Sequence, residues 1–101
     1  MDLDQLISSM PFAVSNGIDL RVANVDEVVA TLDWAPDRCT VGGAMHGGAL
    51  MALADSAGAI VAYLNLPEGC VGTSTTESKT NLFRAVREGS VTATSTFLHA
   101  G

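Results

Sequence analysis

The sequence predicts an α+β domain in which a curved antiparallel sheet wraps one long apolar helix. Three observations carry this expectation. Ala49 to Leu64 holds no proline and no charged residue except Asp55. The segments on either side of it alternate apolar and polar residues with a period of two, the signature of half-buried strands. Between these stretches lie short runs rich in Pro, Gly, Asn and Asp, which read as turns and loops.

Taken in order, residues 2–10 form a short amphipathic helix with Leu3, Leu6, Ile7 and Met10 on one side and Pro11 ending it. From Ile18 the period changes: Ile18, Leu20 and Val22 alternate with Asp19, Arg21 and Ala23, a strand. A turn at Asn24 to Glu27 leads to a second strand, where Val28, Ala30, Leu32 and Trp34 alternate with Val29, Thr31 and Asp33. The pair is an antiparallel hairpin with Trp34 in the core. Ala35 to Gly43 has loop composition and delivers the chain to the helix. After the helix, Asn65 and Pro67 mark the stop, and Pro67, Gly69 and Gly72 make another loop. Thr73 to Phe83 is a threonine-rich strand polar on both faces, suited to a wet site or a subunit boundary. Arg84 to Gly89 turns the chain into a last strand, Val91 to Leu98.

A helix apolar all round is a buried helix, so Asp55 is expected to be buried, and a buried carboxylate is costly unless paired or protonated. That cost points to chemistry. Met51, Ala52, Gly58, Ala59 and Ala62 lie three, four or seven positions from Asp55, a stripe of mostly small side chains that lets a substrate approach. His46, Gly47 and Gly48 fall at the helix amino end, where backbone N–H groups have no internal partner and form an oxyanion or anion site. Gly47 and Asp55 are nevertheless separated by roughly 12 Å at ~1.5 Å per helical residue. Two antiparallel copies of the helix, related by a two-fold axis, would bring one subunit's Asp55 to the other's Gly47 amide.

At 101 residues the chain, residues 1–101, is a single domain, small enough for a partner subunit to help its burial. Its 11 acidic and 5 basic residues give a net charge of −6, which argues against nucleic acid and anionic membrane as partners. Three of the basic residues, Lys79, Arg84 and Arg87, nonetheless cluster where an anionic ligand could meet them. The acidic amino terminus lacks the features of a signal peptide, and a cytosolic location is expected. An acid near the middle of the helix argues against a membrane span. Cys39 and Cys70 lack metal-ligand spacing and are expected to be reduced thiols.

His46-Gly47-Gly48 followed by Ala54-Asp55-Ser56 resembles the hotdog-fold acyl-CoA thioesterases, specifically the 4-hydroxybenzoyl-CoA and phenylacetate-degradation branch. The likeness continues through Gly72-Thr73-Ser74, Glu77-Ser78-Lys79-Thr80-Asn81 and Phe83-Arg84-Ala85-Val86-Arg87-Glu88-Gly89, and so covers essentially the whole chain. The resemblance implies a homodimer or dimer of dimers with active sites at the subunit interface, hydrolysing an acyl- or aroyl-coenzyme A, and it implies no metal or bound cofactor. It implies that Asp55 is the catalytic base or nucleophile and that the Gly47 N–H polarises the thioester carbonyl and holds the oxyanion. It further implies that His46 positions the thioester or the loop and that Ser74 orients water. Gly48, Arg84 and Arg87 would contact the substrate, the two arginines through the coenzyme's phosphates.

Two departures from the family pattern stand out. Thr40 occupies the position, six residues before the motif histidine, where many members carry Asn or Gln against the thioester region or the acid. The chain also ends at Gly101, where the family pattern continues through two further strands. Two rival functions follow: a non-catalytic module that binds acyl-CoA, and a hotdog dehydratase or hydratase, whose motif fits less well.

Overall fold

The computed structural model describes residues 2–66 and 85–96. The strand expected over Thr73 to Phe83, and with it Ser74, lies outside the described residues, as do Lys79, Arg84 and Cys70. Within them the element order is α1 (Leu3–Ser8), α2 (Pro11–Ser15), β1 (Asp19–Ala23), β2 (Glu27–Asp33), α3 (Gly47–Leu64) and β3 (Ser90–Thr96). The strands form one antiparallel sheet in the order β1-β2-β3, with α3 packed against β2 and β3. The expected α+β architecture is present.

The first element is set by local chemistry. Asp2 accepts the Gln5 N–H at 2.7 Å while the Gln5 side chain accepts the Asp2 N–H at 3.0 Å, a reciprocal cap that starts α1. Leu6 is buried, with Leu3, Ile7 and Met10 packed beside it. Pro11 does more than end this helix, as the sequence suggested: it opens α2. Proline suits a first helical position because the N–H it lacks has no intrahelical partner there.

The hairpin forms as expected, with one irregularity. Leu20 pairs with Ala30, but Val22 pairs with Val29, so Arg21 is the extra residue of a bulge. The strict alternation expected for β1 therefore breaks after Leu20, and both Val22 and Ala23 are half-buried. The turn is held by Asn24, whose Oδ1 accepts the Asp26 and Glu27 N–H groups at 2.8 and 2.9 Å. Asn24→Ala removes both contacts and is expected to destabilise the domain by about 1 kcal/mol, a fall in Tm of roughly 4–8 °C by calorimetry. An unchanged Tm would mean that the turn forms without this side chain.

Strand β2 supplies the floor of the core through Val28, Ala30 and Leu32, all fully buried. Register places Val91 beside Leu32 and Ala93 beside Ala30, so β3 extends the same face. Against it α3 buries Leu53, Ser56, Ala57, Ile60 and Val61, an i, i+4, i+7 stripe. The far end of α3 is tied to the hairpin by Asn65, whose side-chain amide donates to the carbonyls of Val25 and Val61 at 2.8 Å each.

The helix departs from expectation in its environment. It is not buried all round: among the described residues the sheet covers the face toward it, while Met51, Asp55 and Tyr63 are exposed. Three described strands cover one side of a helix and leave the other open. By length and apolar composition α3 could cross a membrane, but its inner face is packed on the sheet. Trp34, expected in the core, is half-buried at its margin, and its indole N–H donates to the Gly43 carbonyl at 2.9 Å.

Candidate active site

The amino end of α3 is reached through a loop that folds as two short 3-10 turns, Pro36–Arg38 and Val41–Gly43. An isolated antiparallel bridge between Cys39 and Met45 closes the loop, and the Thr40 N–H donates to the Ala44 carbonyl at 2.8 Å. Gly42 has φ +86°, a conformation that side-chain-bearing residues rarely adopt. The second turn is pinned from outside by two side chains. Trp34 holds the Gly43 carbonyl, and Arg87 Nη1 donates to the Gly42 carbonyl at 2.6 Å. The Met45 N–H donates to the Val86 carbonyl at 2.7 Å, so the segment before β3 and the loop before α3 are one structural unit.

The helix begins at Gly47, two residues earlier than the uncharged run suggests, because His46 is its amino cap. The His46 backbone is extended, its Nδ1 accepts the Gly48 N–H at 2.7 Å, and its carbonyl accepts the Ala49 N–H at 2.9 Å. This is a definite role for the motif histidine. His46→Ala is expected to cost about 1 kcal/mol, while His46→Asn, whose side chain can accept the same N–H, should retain most of the stability in thermal denaturation. Equal losses in the two variants would show that the imidazole acts by packing alone.

The cap has a chemical consequence for the residue between. Gly48's N–H is taken by His46, whereas the Gly47 N–H donates to no acceptor among the described residues. No acidic side chain occupies the first turn of α3, so the positive end of the helix dipole is left for an external anion or a polarised carbonyl. Gly47 is half-buried and Gly48 exposed, so an approaching oxygen has access.

Of the sequence-predicted site residues, the fold brings Thr40, His46, Gly47, Gly48 and Arg87 to this end of α3. Asp55 is not among them: eight residues further along, it lies roughly 12 Å down the helix axis at ~1.5 Å per residue. It is exposed on the outer face, one turn after Met51 and two turns before Tyr63. The expectation that its own subunit buries this carboxylate is therefore corrected, and desolvation by its own helix neighbours does not account for its presence. Ser74 and Arg84 lie outside the described residues. Sequence reasoning missed Arg38, which holds the loop from beneath; an arginine two residues after Pro36 gives little signal of such a role.

Comparisons with known proteins converge on one family. The family model described as Thioesterase superfamily matches residues 42–101. The Pseudomonas aeruginosa esterase-class protein PA1618 is 33% identical over 105 residues, covering 99% of this chain and 70% of the relative. The crystal structure of a variant of that protein, described as a thioesterase, has a TM-score of 0.84 at 30% identity and covers 100% of this chain and 74% of its own. The thioesterase HI1161 of Haemophilus influenzae superposes with a TM-score of 0.88 at 29% identity, covering 100% of this chain and 71% of that one. The PaaI protein of the E. coli phenylacetic acid degradation operon, at 22% identity and a TM-score of 0.82 over 97% of this chain and 69% of that one, shares the fold.

Proposed function

Because this chain belongs to the Thioesterase superfamily and has its hotdog fold, we propose that the thioester it hydrolyses is an acyl- or aroyl-coenzyme A, in a site shared by two subunits. The observation that carries this reading is the Gly47 N–H, which has no acceptor among the described residues at an amino end free of acidic side chains, on the same helix as an exposed carboxylate.

In this reading the thioester carbonyl oxygen accepts the Gly47 N–H, which draws electron density from the carbonyl carbon. Asp55 of the opposing subunit takes a proton from water as the water oxygen adds to that carbon, and the oxyanion is held by the same N–H. Collapse of the adduct expels the coenzyme thiolate, which takes up a proton, and releases the acid. Direct attack by the carboxylate, giving a mixed anhydride that water then opens, would use the same two groups. An antiparallel pair of α3 helices meeting through their open faces would cover Met51 and Tyr63 and supply the missing proximity. Thr40 and Gly48 would border the thioester. Arg87 would meet the coenzyme phosphates through Nε and Nη2, which donate to no described residue, and Arg84 and Ser74 would join it from the segment before β3. The site calls for no metal and no cofactor.

The test is a panel of acyl- and aroyl-coenzyme A substrates with free thiol followed spectroscopically, alongside light scattering for the oligomeric state. Thiol release with multiple turnovers supports the reading. Saturable acyl-CoA binding without thiol release would make the chain a binding module, and a monomer that turns over would remove the shared site.

A further inference from the structure

Arg38 makes more backbone contacts across the fold than any expectation from sequence assigned to it. Its Nε donates to the Asn16 carbonyl at 3.1 Å and its Nη1 to the Asp33 carbonyl at 2.9 Å. Asn16 is the carboxyl cap of α2, where carbonyls lack helical partners, and Asp33 is the last residue of β2. Its Nη2 lies over Gly17, at the place where a side chain would begin: an added Cβ there would sit 1.9 Å from Nη2 and 2.6 Å from Cζ. Gly17 also has φ +77°, so glycine serves twice at this corner. A planar fork of donors fits two diverging carbonyls and a flat glycine surface, which a single ammonium cannot do.

The main chain of the same residue points the other way. The Arg38 carbonyl accepts the His46 N–H at 2.8 Å, while the Arg38 N–H donates to Ala35 at 3.0 Å to close the first 3-10 turn. His46 is thereby held on both sides of Gly47: its N–H is anchored on Arg38, and its imidazole is anchored on the Gly48 N–H. The peptide unit between these anchors carries the Gly47 N–H.

We propose that Arg38 is a positioning residue that sets the direction of the Gly47 N–H, its guanidinium fastening α2 and β2 to a carbonyl that fixes the His46 cap. Arg38 touches no reacting atom in this arrangement. The catalytic consequence rests on the thioesterase reading above, but the structural link does not.

The experiment therefore has two readouts. Arg38→Ala should accelerate backbone amide exchange at His46 and Gly48 by at least about tenfold, measured by NMR, while the amides paired between β2 and β3 keep their protection. In acyl-CoA hydrolysis the same variant should lose roughly 10- to 100-fold in kcat with KM changed less than about threefold, because a misdirected donor is felt where charge develops. A merely structural role would lower Tm and leave kcat of the folded enzyme unchanged. Arg38→Lys should fall between, and Gly17→Ala, which forces the guanidinium aside, should reproduce the kcat loss. If Arg38→Ala does not fold, these two variants carry the test. In the Arg38→Ala background, Gly17→Ala should add no further loss of kcat. Wild-type exchange at His46 and Gly48 in the variants overturns the proposal, as does a normal kcat in an active enzyme. Accelerated exchange in a protein whose wild type hydrolyses no thioester would sink the hydrolase reading and leave the Arg38 link standing.

Discussion

Asp55→Asn is expected to lower kcat for acyl-CoA hydrolysis by roughly 10²–10⁴-fold, the usual consequence of losing a positioned general base, and by more if the carboxylate is the nucleophile. The amide is nearly isosteric and neutral, so the substitution removes the basic oxygen without opening a cavity. Asp55 is exposed on its own chain's outer face of α3, and a neutral amide of the same shape leaves no charge to be desolvated where two copies would meet. Tm is therefore expected to hold. Acyl-CoA affinity, measured by calorimetry on the inactive variant, should stay within about threefold of wild type, because the group acts on the transition state rather than on the bound thioester. Near-normal turnover in Asp55→Asn would show that the carboxylate is not the reacting group and would favour an acyl-CoA-binding role.

Much of the fold was legible because the patterns that define it are local. The alternation in Val28, Ala30 and Leu32, the uncharged run through α3 and the Asn24 turn each name an element without reference to the rest. What the sequence could not show is how many layers cover each face. The apolar composition of α3 suggested burial on all sides, yet among the described residues the buried face is the one carrying Leu53, Ala57 and Ile60, and Met51, Asp55 and Tyr63 are exposed. Composition reports the sum of all contacts a helix makes, including those with another copy, and does not divide them between chains. The site was half legible for a related reason. The motif from His46 to Gly48 could be placed at a helix start, because glycine pairs and a free amino end have a sequence signature. That His46 caps the helix through Nδ1 and so singles out the Gly47 N–H depended on a side-chain rotamer. The part played by Arg38 depended on Gly17, 21 positions away, being folded beneath it. Neither fact has a period or a spacing.

Gly47→Pro is the complementary variant: it removes the backbone N–H and puts the proline ring in its place. Gly47 is the first residue of α3, a position that tolerates proline because its N–H has no intrahelical partner. The residue before it, His46, has φ −62° and ψ 135°, within the extended region that a following proline requires. The substitution therefore deletes the proposed carbonyl donor while leaving the helix start intact, and Tm should move by no more than a few degrees. Loss of one oxyanion donor is expected to reduce kcat by about 10²–10³-fold. The decisive measurement mixes this variant with Asp55→Asn. If each site takes Gly47 from one subunit and Asp55 from the other, a heterodimer carries one site with both groups and one with neither. Random exchange of equal amounts makes about half the dimers heterodimers, so the mixture should recover roughly a quarter of wild-type activity from two inactive proteins. Recovery must also require subunit exchange, appearing only after unfolding and refolding or long incubation together. If both variants are inactive alone and remain inactive after proven exchange, the donor and the carboxylate do not meet across the two-fold axis, and the shared-site geometry is wrong even though each group is needed.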